Sequence, residues 1–223
     1  MDALKIKNIF WQNQWKIPNT SWIIKGYSRS AFRTGFYIPE LNLLLDGGPQ
    51  NFNQPDHVLI THSHIDHISC LPMTCIGVEH SINIYIPDQA HDYIYQYIRA
   101  MYSANAVVQV GLPPHIKLHR ISKDFKNNFR VECNKTPMEI EVFECDHSIP
   151  TVSYGLKEIK KKLKKEYLGL EGREIAQLKK DGVEITEMVV QNKLAYVCDT
   201  SIKVFDMNPT LLDYPTIMVE CTF

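Results

Sequence analysis

Short apolar runs separated by turn residues fill the first half of the chain. Leu4–Phe10, Ser21–Lys25, Thr34–Ile38 and Leu41–Leu45 follow one another closely, the last ending at Asp46-Gly47-Gly48. Runs of this length, rich in branched and aromatic residues, predict consecutive antiparallel strands. Val58–Thr61 predicts a further strand, and Ile68–Val78 a helix packed behind it. Ile82–Ile86 reads as a strand, and Pro87-Asp88 opens a helix through Met101 that places Ile94, Tyr97, Ile98 and Met101 on one face. Strands follow at Ile116–Ile121, Phe129–Cys133 and Met138–Cys145. The character then changes: Lys157–Tyr167 and Glu171–Lys180 predict two polar helices, broken near Gly169-Leu170. Strands return at Leu194–Cys198 and Thr216–Cys221. Two groups of strands with helices outside them predict an α/β fold, a four-layer αββα sandwich. No linker or repeat divides residues 1–223, so they read as one domain, with 157–183 as a lysine-rich helical insert within it.

Composition narrows the class. The chain has 223 residues, 44% of them hydrophobic, enough to bury a full core. Lys+Arg 24 against Asp+Glu 25 leaves no global basic field. No apolar run approaches the length of a membrane span, and the N-terminus lacks a signal-peptide pattern. Six dispersed cysteines without a Cys-x-x-Cys pair read as reduced and buried. The reading is therefore a cytoplasmic or nuclear protein, neither secreted nor membrane-bound.

The chemistry concentrates at Thr61-His62-Ser63-His64-Ile65-Asp66-His67. Three imidazoles and a carboxylate within six residues are donors that zinc, manganese or iron prefer. On an extended segment His62 and His64 point the same way, while Asp66 and His67 follow across a turn and address a second point. Two later strand ends carry further candidates, Cys145-Asp146-His147-Ser148 and Cys198-Asp199-Thr200.

The motif T-H-x-H-x-D-H after an apolar strand resembles the signature of the metallo-β-lactamase superfamily. Within it the chain resembles ribonuclease Z, the tRNA 3′-end processing endonuclease. Gly26-Tyr27-Ser28-Arg29-Ser30, Leu44-Leu45-Asp46-Gly47-Gly48, Asp146–Gly155 and the charged run 161–183 carry that resemblance. It implies two zinc ions: His62, His64 and His147 on the first, Asp66 and His67 on the second, and Asp199 between them. It implies hydrolysis of precursor tRNA after the acceptor stem to leave a 3′-hydroxyl, with Asp66 orienting the attacking water as the catalytic base. Thr61 and Thr200 would support the ligands by hydrogen bonds. From Lys157 to Glu166 six lysines face two acids. Lys160, Lys161, Lys162, Lys164 and Lys165 are the candidates for gripping RNA phosphates, because cationic contacts to a backbone suit recognition of duplex shape.

The pattern departs from the family in places. Cys198 stands where glycine precedes the bridging aspartate, and Pro49-Gln50 replaces an acidic-glycine run. Ile217–Phe223 resembles the strand ending in the family's His/Glu-Ala-Thr-Phe segment, but two histidines that follow in the family have no counterpart. The second ion would then be the weaker one, and a homodimer mate or another partner would cover the sheet edge left by the missing last elements. Two other readings stand beside the nuclease: a non-catalytic RNA-binding or assembly subunit that keeps a metal, and a hydrolase of small esters, thioesters or lactams. His57, His80, His91, His115 and His119 receive no role.

Overall fold

A computed structural model describes residues 9–51, 53–76, 80–122 and 128–220. Two sheets face each other. The first has seven strands in sequential order: β1 (Gln14–Lys16), β2 (Ile23–Arg29), β3 (Arg33–Ile38), β4 (Leu43–Leu45), β5 (His57–Leu59), β6 (Ile82–Pro87) and β7 (Ile116–Ile121). The second has five, in the order β12-β11-β10-β9-β8: β8 (Phe129–Cys133), β9 (Thr136–Glu144), β10 (Val152–Leu163), β11 (Thr186–Val197) and β12 (Ile217–Val219). Helices α1 (Ile65–Ile68), α2 (Leu71–Cys75) and α3 (Asp88–Ala106) lie between first-sheet strands, α4 (Gly172–Lys180) between β10 and β11, and α5 (Val204–Met207) after β11.

Alternation along the strands sorts side chains into layers. In β4, Leu43 and Leu45 enter the core between the sheets, while Leu44 turns to the opposite face. The inter-sheet core joins Ile24, Phe36, Ile38 and Leu59 from the first sheet to Met138, Ile140, Val152, Tyr154, Leu156 and Tyr196 from the second. The outer face of the first sheet, with Val58, Ile60, Ile82, Ile84 and Ile86, packs on Leu71 and Cys75 of α2 and on Ala90, Ile94 and Ile98 of α3. A smaller cluster on the second sheet sets Phe143, Ala195 and Val197 against Val204 of α5, Leu211 and Tyr214. Each fully buried aliphatic side chain contributes about 1.5–3 kcal/mol of apolar transfer. The layers are helix, sheet, sheet, helix, as expected, and α3 runs one turn beyond Met101.

The first sheet is antiparallel through β4, as expected for its opening strands, and β4–β5, β5–β6 and β6–β7 are parallel. Two expectations change. Lys157–Leu163 is not helical. It is the outer half of β10, paired with β11 from Lys157↔Asn192 to Leu163↔Thr186. Lysine favours helix in isolation, but this stretch continues a strand already buried on both faces at Val152–Leu156, and pairing overrides propensity. The segment 157–183 is thus a strand, a short 3-10 turn at Lys165–Tyr167 and α4, whose N-terminus closes with a Glu171–Glu174 capping box. β10 and β11 also run well past the end of β9, which pairs with β10 only as far as Met138↔Glu158. Finally, Ile9–Trp11 is a 3-10 turn, and residues 4–8 of the first expected strand lie outside the described residues, as do 77–78 of the helix behind the motif and Cys221.

Candidate metal centre

The strand ends that carry the candidate residues converge on one edge of the sandwich. β4 delivers Asp46, β5 delivers Thr61 to His64, the turn after β9 delivers His147, β11 delivers Asp199, and β12 delivers Glu220. Val152 N–H donates to Thr61 O at 3.0 Å and joins the sheets beside the site. His64 is extended (φ −61°, ψ 146°) and caps α1, so the expected turn is a single helical turn that lifts Asp66 and His67 to the second point. Gly47 N–H donates to His67 O at 2.6 Å and Cys70 N–H to Gly47 O at 2.9 Å, fastening that turn to the end of β4.

His62, His64, His147 and Asp199 form one group of candidate donors and His67 joins Asp199 in another, with Asp66 beside His67 but outside both groups. His62 Nε2 lies 3.0 Å from His64 Nδ1, which is 3.2 Å from His147 Nε2. His67 Nε2 lies 3.6 Å from Asp66 Oδ2. Asp199 Oδ2 stands between the two groups, 3.9 Å from His62 Nε2, 3.9 Å from His67 Nε2 and 3.8 Å from His147 Nε2. Donors held about 2.1 Å from a tetrahedral ion are about 3.4 Å apart, a spacing close to that among His62, His64, His147 and Asp199.

The hydrogen bonds behind the imidazoles settle which nitrogen faces the site. Thr61 is fastened to Asp46: its N–H donates to Oδ1 at 2.8 Å and its hydroxyl donates to the same carboxylate. That leaves Thr61 Oγ1 to accept from His62 Nδ1–H at 3.0 Å. His67 Nδ1–H donates to Asp46 Oδ2 at 3.1 Å, and Tyr196 Oη donates to the same oxygen at 2.9 Å. Both Nε2 atoms therefore present lone pairs inward. Among the described residues His67 Nε2 is buried without a hydrogen-bond partner, an orphan that a cation would satisfy.

Charge points the same way. Burial, with the imidazoles of His67, His64 and His147, presses the His62 pKa down to about 2, keeping the neutral form that metals bind. Burial alone would lower His67 as well. Asp46 beside Nδ1, with Asp66 and Glu220, instead pushes it up to about 9. The position thus calls for positive charge, which a divalent ion supplies in place of the proton.

Two further loops are pinned by polar contacts. Asp146 N–H donates to Thr200 Oγ1 at 3.1 Å, Ser201 Oγ donates to Asp146 Oδ2 at 2.7 Å, and Lys203 Nζ sits 3.2 Å away. Thr200 therefore supports the His147 loop rather than a ligand itself. Cys198 Sγ packs behind the imidazoles, 3.2 Å from Thr61 Oγ1 and 3.8 and 3.7 Å from the Nδ1 atoms of His62 and His67. Asp46, Tyr196, Cys198 and Glu220 were not singled out as parts of the site by sequence; the Asp-Gly-Gly strand end was the one available signal for Asp46. Remote histidines have other partners: His57 Nε2 meets Glu132 O at 3.1 Å, His119 Nε2 meets Asn83 Oδ1 at 2.9 Å, and His80 pairs with Asp56.

Asp46→Ala is expected to weaken metal binding by about 10- to 100-fold, the usual cost of losing a carboxylate that orients a ligating imidazole. Chelator competition measures it; affinity unchanged from the parent would contradict the orienting role.

A cluster of candidate metal ligands lies at the strand ends of a ββ sandwich, and the family comparison fits that fold. Residues 34–170 match the β-lactamase superfamily domain, more than half of the chain, and the chain belongs to that superfamily. Membership implies a metal here. The relatives narrow the kinship further. Chloroplastic tRNase Z TRZ2 of Arabidopsis thaliana is 27% identical over 91% of this chain and 57% of its own length. tRNase Z TRZ1 of the same plant is 28% identical over 90% of this chain and 71% of its own. A nuclear ribonuclease Z of Triticum aestivum is 29% identical over 74% of this chain and 92% of its own. The chain thus spans little more than half the length of the first of these relatives.

Proposed function

We propose that the chain is a ribonuclease Z-like endonuclease that hydrolyses precursor tRNA after the acceptor stem, leaving a 3′-hydroxyl and a 5′-phosphate. The observation that carries this reading is Asp199 Oδ2, held within 3.9 Å of the donor nitrogens of both halves of the centre. His62, His64 and His147 would hold one zinc ion, Asp66 and His67 a second, and Asp199 would serve both. Two such ions supply Lewis acidity to the phosphodiester and to the attacking water. Asp66, nearly buried and beside the His67 lone pair, orients that water and accepts its proton. Thr61 and Asp46 keep His62 and His67 in the required tautomers. Five described cysteines are free and buried, which suits the reducing cytosol or nucleus.

The long β10–β11 ribbon favours RNA over a small ester. Val152 begins β10 beside the centre, and each strand residue adds about 3.3 Å, so Lys161 stands about 30 Å away. Only an extended substrate reaches both. Lys160 pairs with Glu158 at 2.9 Å and Lys161 with Glu184 at 3.4 Å. Among the described residues Lys162, Lys164 and Lys165 form no close salt bridge, so they are the phosphate contacts we assign to this arm. Replacing those three by Ala is expected to flatten the salt dependence of tRNA binding by roughly 2–3 in log–log slope, with turnover of a short acceptor-stem substrate kept. Filter binding across a salt series checks this, and an unchanged slope would remove the ribbon from the RNA interface.

The enzyme reading is tested by metal content per chain beside cleavage of a 3′-extended precursor tRNA, with Asp66→Ala as control. Metal-dependent cleavage that Asp66→Ala abolishes is the expected result. Salt-sensitive tRNA binding without cleavage would establish the non-catalytic RNA-binding subunit instead.

A further inference from the structure

Glu220 follows β12 at the rim of the centre, and its two carboxylate oxygens have different surroundings. Its N–H donates to Val197 O at 3.0 Å, which fixes it one strand away from Cys198-Asp199. Oε1 accepts from Ser28 Oγ at 2.5 Å and from Thr34 Oγ1 at 3.1 Å, residues that face each other across β2 and β3. Among the described residues, the buried Oε2 has no hydrogen-bond partner. A carboxylate oxygen of Glu220 lies within 4.8 Å of ligand atoms of His67, Cys198 and Asp199. The second sheet thus sends a further acid toward the side of Asp199 that already holds Asp66 and His67.

We propose that Glu220 gives the second metal position an oxygen donor, so that His67, Asp199 and Glu220 share it. This rests on the metal-dependent reading above. A buried carboxylate with one free oxygen beside Asp199 is unfavourable as it stands, because like charges repel and desolvation is uncompensated. A divalent cation between them removes both costs. Cys198 is the competing donor in the same group, but its sulfur lies on the Nδ1 side of His62 and His67, where those nitrogens already donate to Thr61 and Asp46. Ser28 and Thr34 hold the other oxygen and aim the carboxylate, which ties the β2–β3 hairpin to metal occupancy. The first position needs nothing from Glu220, since His62, His64, His147 and Asp199 complete it.

The test loads the full chain with Zn²⁺, counts bound ions by elemental analysis, and measures the affinity of each by competition with a chromophoric chelator. Parent, Glu220→Gln, Glu220→Ala and Ser28→Ala are compared, with melting temperatures as the check on folding. Two ions are expected on the parent. Glu220→Gln keeps one at parental affinity and loses the other by about 100-fold, the upper end of what loss of a mere supporting partner costs. Ser28→Ala, which loosens the aim and keeps the donor, weakens the second ion by less. Cobalt substituted into the second position is expected to change its visible spectrum in Glu220→Gln. Two ions of unchanged affinity in both Glu220 variants overturn the assignment and leave the metal-dependent reading standing. Loss of both ions together also overturns it, since Glu220 would then act through the fold. A parent that binds no zinc overturns both readings at once.

Discussion

Asp199→Asn is expected to lower phosphodiester cleavage roughly a thousandfold, in the range found when one preorganised charge-stabilising group is removed, and to reduce the metal content of the chain. The amide keeps the shape of the side chain and removes its charge. Because Asp199 Oδ2 is the common corner of His62, His67 and His147, its loss acts on both halves of the centre at once. Removal of His147 is expected to affect mainly the half that holds His62 and His64. Elemental analysis and single-turnover cleavage measure the two effects side by side. Should Asp199→Asn retain both ions and cleave within about twofold of the parent, well inside what a single neutral hydrogen bond is worth, the carboxylate does not join the two positions.

The candidate ligands were legible because the chemistry is local. His62, His64, Asp66 and His67 lie on one strand end and one helical turn, and their spacing already carries the geometry. His147 and Asp199 were legible only through the family resemblance, since each alone looks like an ordinary turn residue. Asp46 shows the limit more clearly. In sequence it is an acid before two glycines. In the fold it accepts from Thr61, Tyr196 and His67, partners up to 150 positions away, and so fixes both imidazoles. No local pattern states such a convergence.

Strand positions were legible from apolar runs, but their partners were not. Alternation in β4 names the two faces of the strand without saying that β5 lies parallel to it. Lys157–Leu163 failed for the complementary reason. Its composition favours helix, and the choice is made by hydrogen bonding to Thr186–Asn192, well along the chain. The consequence reaches function, because a strand carries Lys160–Lys162 far from the centre where a helix of equal length would have kept them within half the distance.

Gly48→Ala is expected to destabilise the chain by about 1–3 kcal/mol or more, the usual cost of overpacking a closed core. A Cβ at Gly48 would stand 1.9 Å from Asp66 O, 2.6 Å from Thr34 O and 2.8 Å from Thr34 N. All three are backbone atoms, so no side chain can rotate away. Either β3 or α1 must move. β3 is held by its pairing with β2 and β4, and by Gly48 N–H donating to Thr34 O at 3.1 Å. α1 is a single turn held chiefly through Gly47 and by Ser69 Oγ, which donates to Gly48 O at 2.9 Å. The weaker element is α1, and it carries Asp66 and His67. The second metal position is therefore expected to fail before the first: at a temperature where Gly48→Ala is still folded, one ion remains on His62, His64 and His147 and the other is lost. Gly111→Ala is the matched control, because nothing lies within 4 Å of its added Cβ. Urea unfolding and metal counts on the two variants test both halves of the argument. Equal stability for Gly48→Ala and Gly111→Ala would mean that the strand end beneath α1 is not the close contact on which the second position depends.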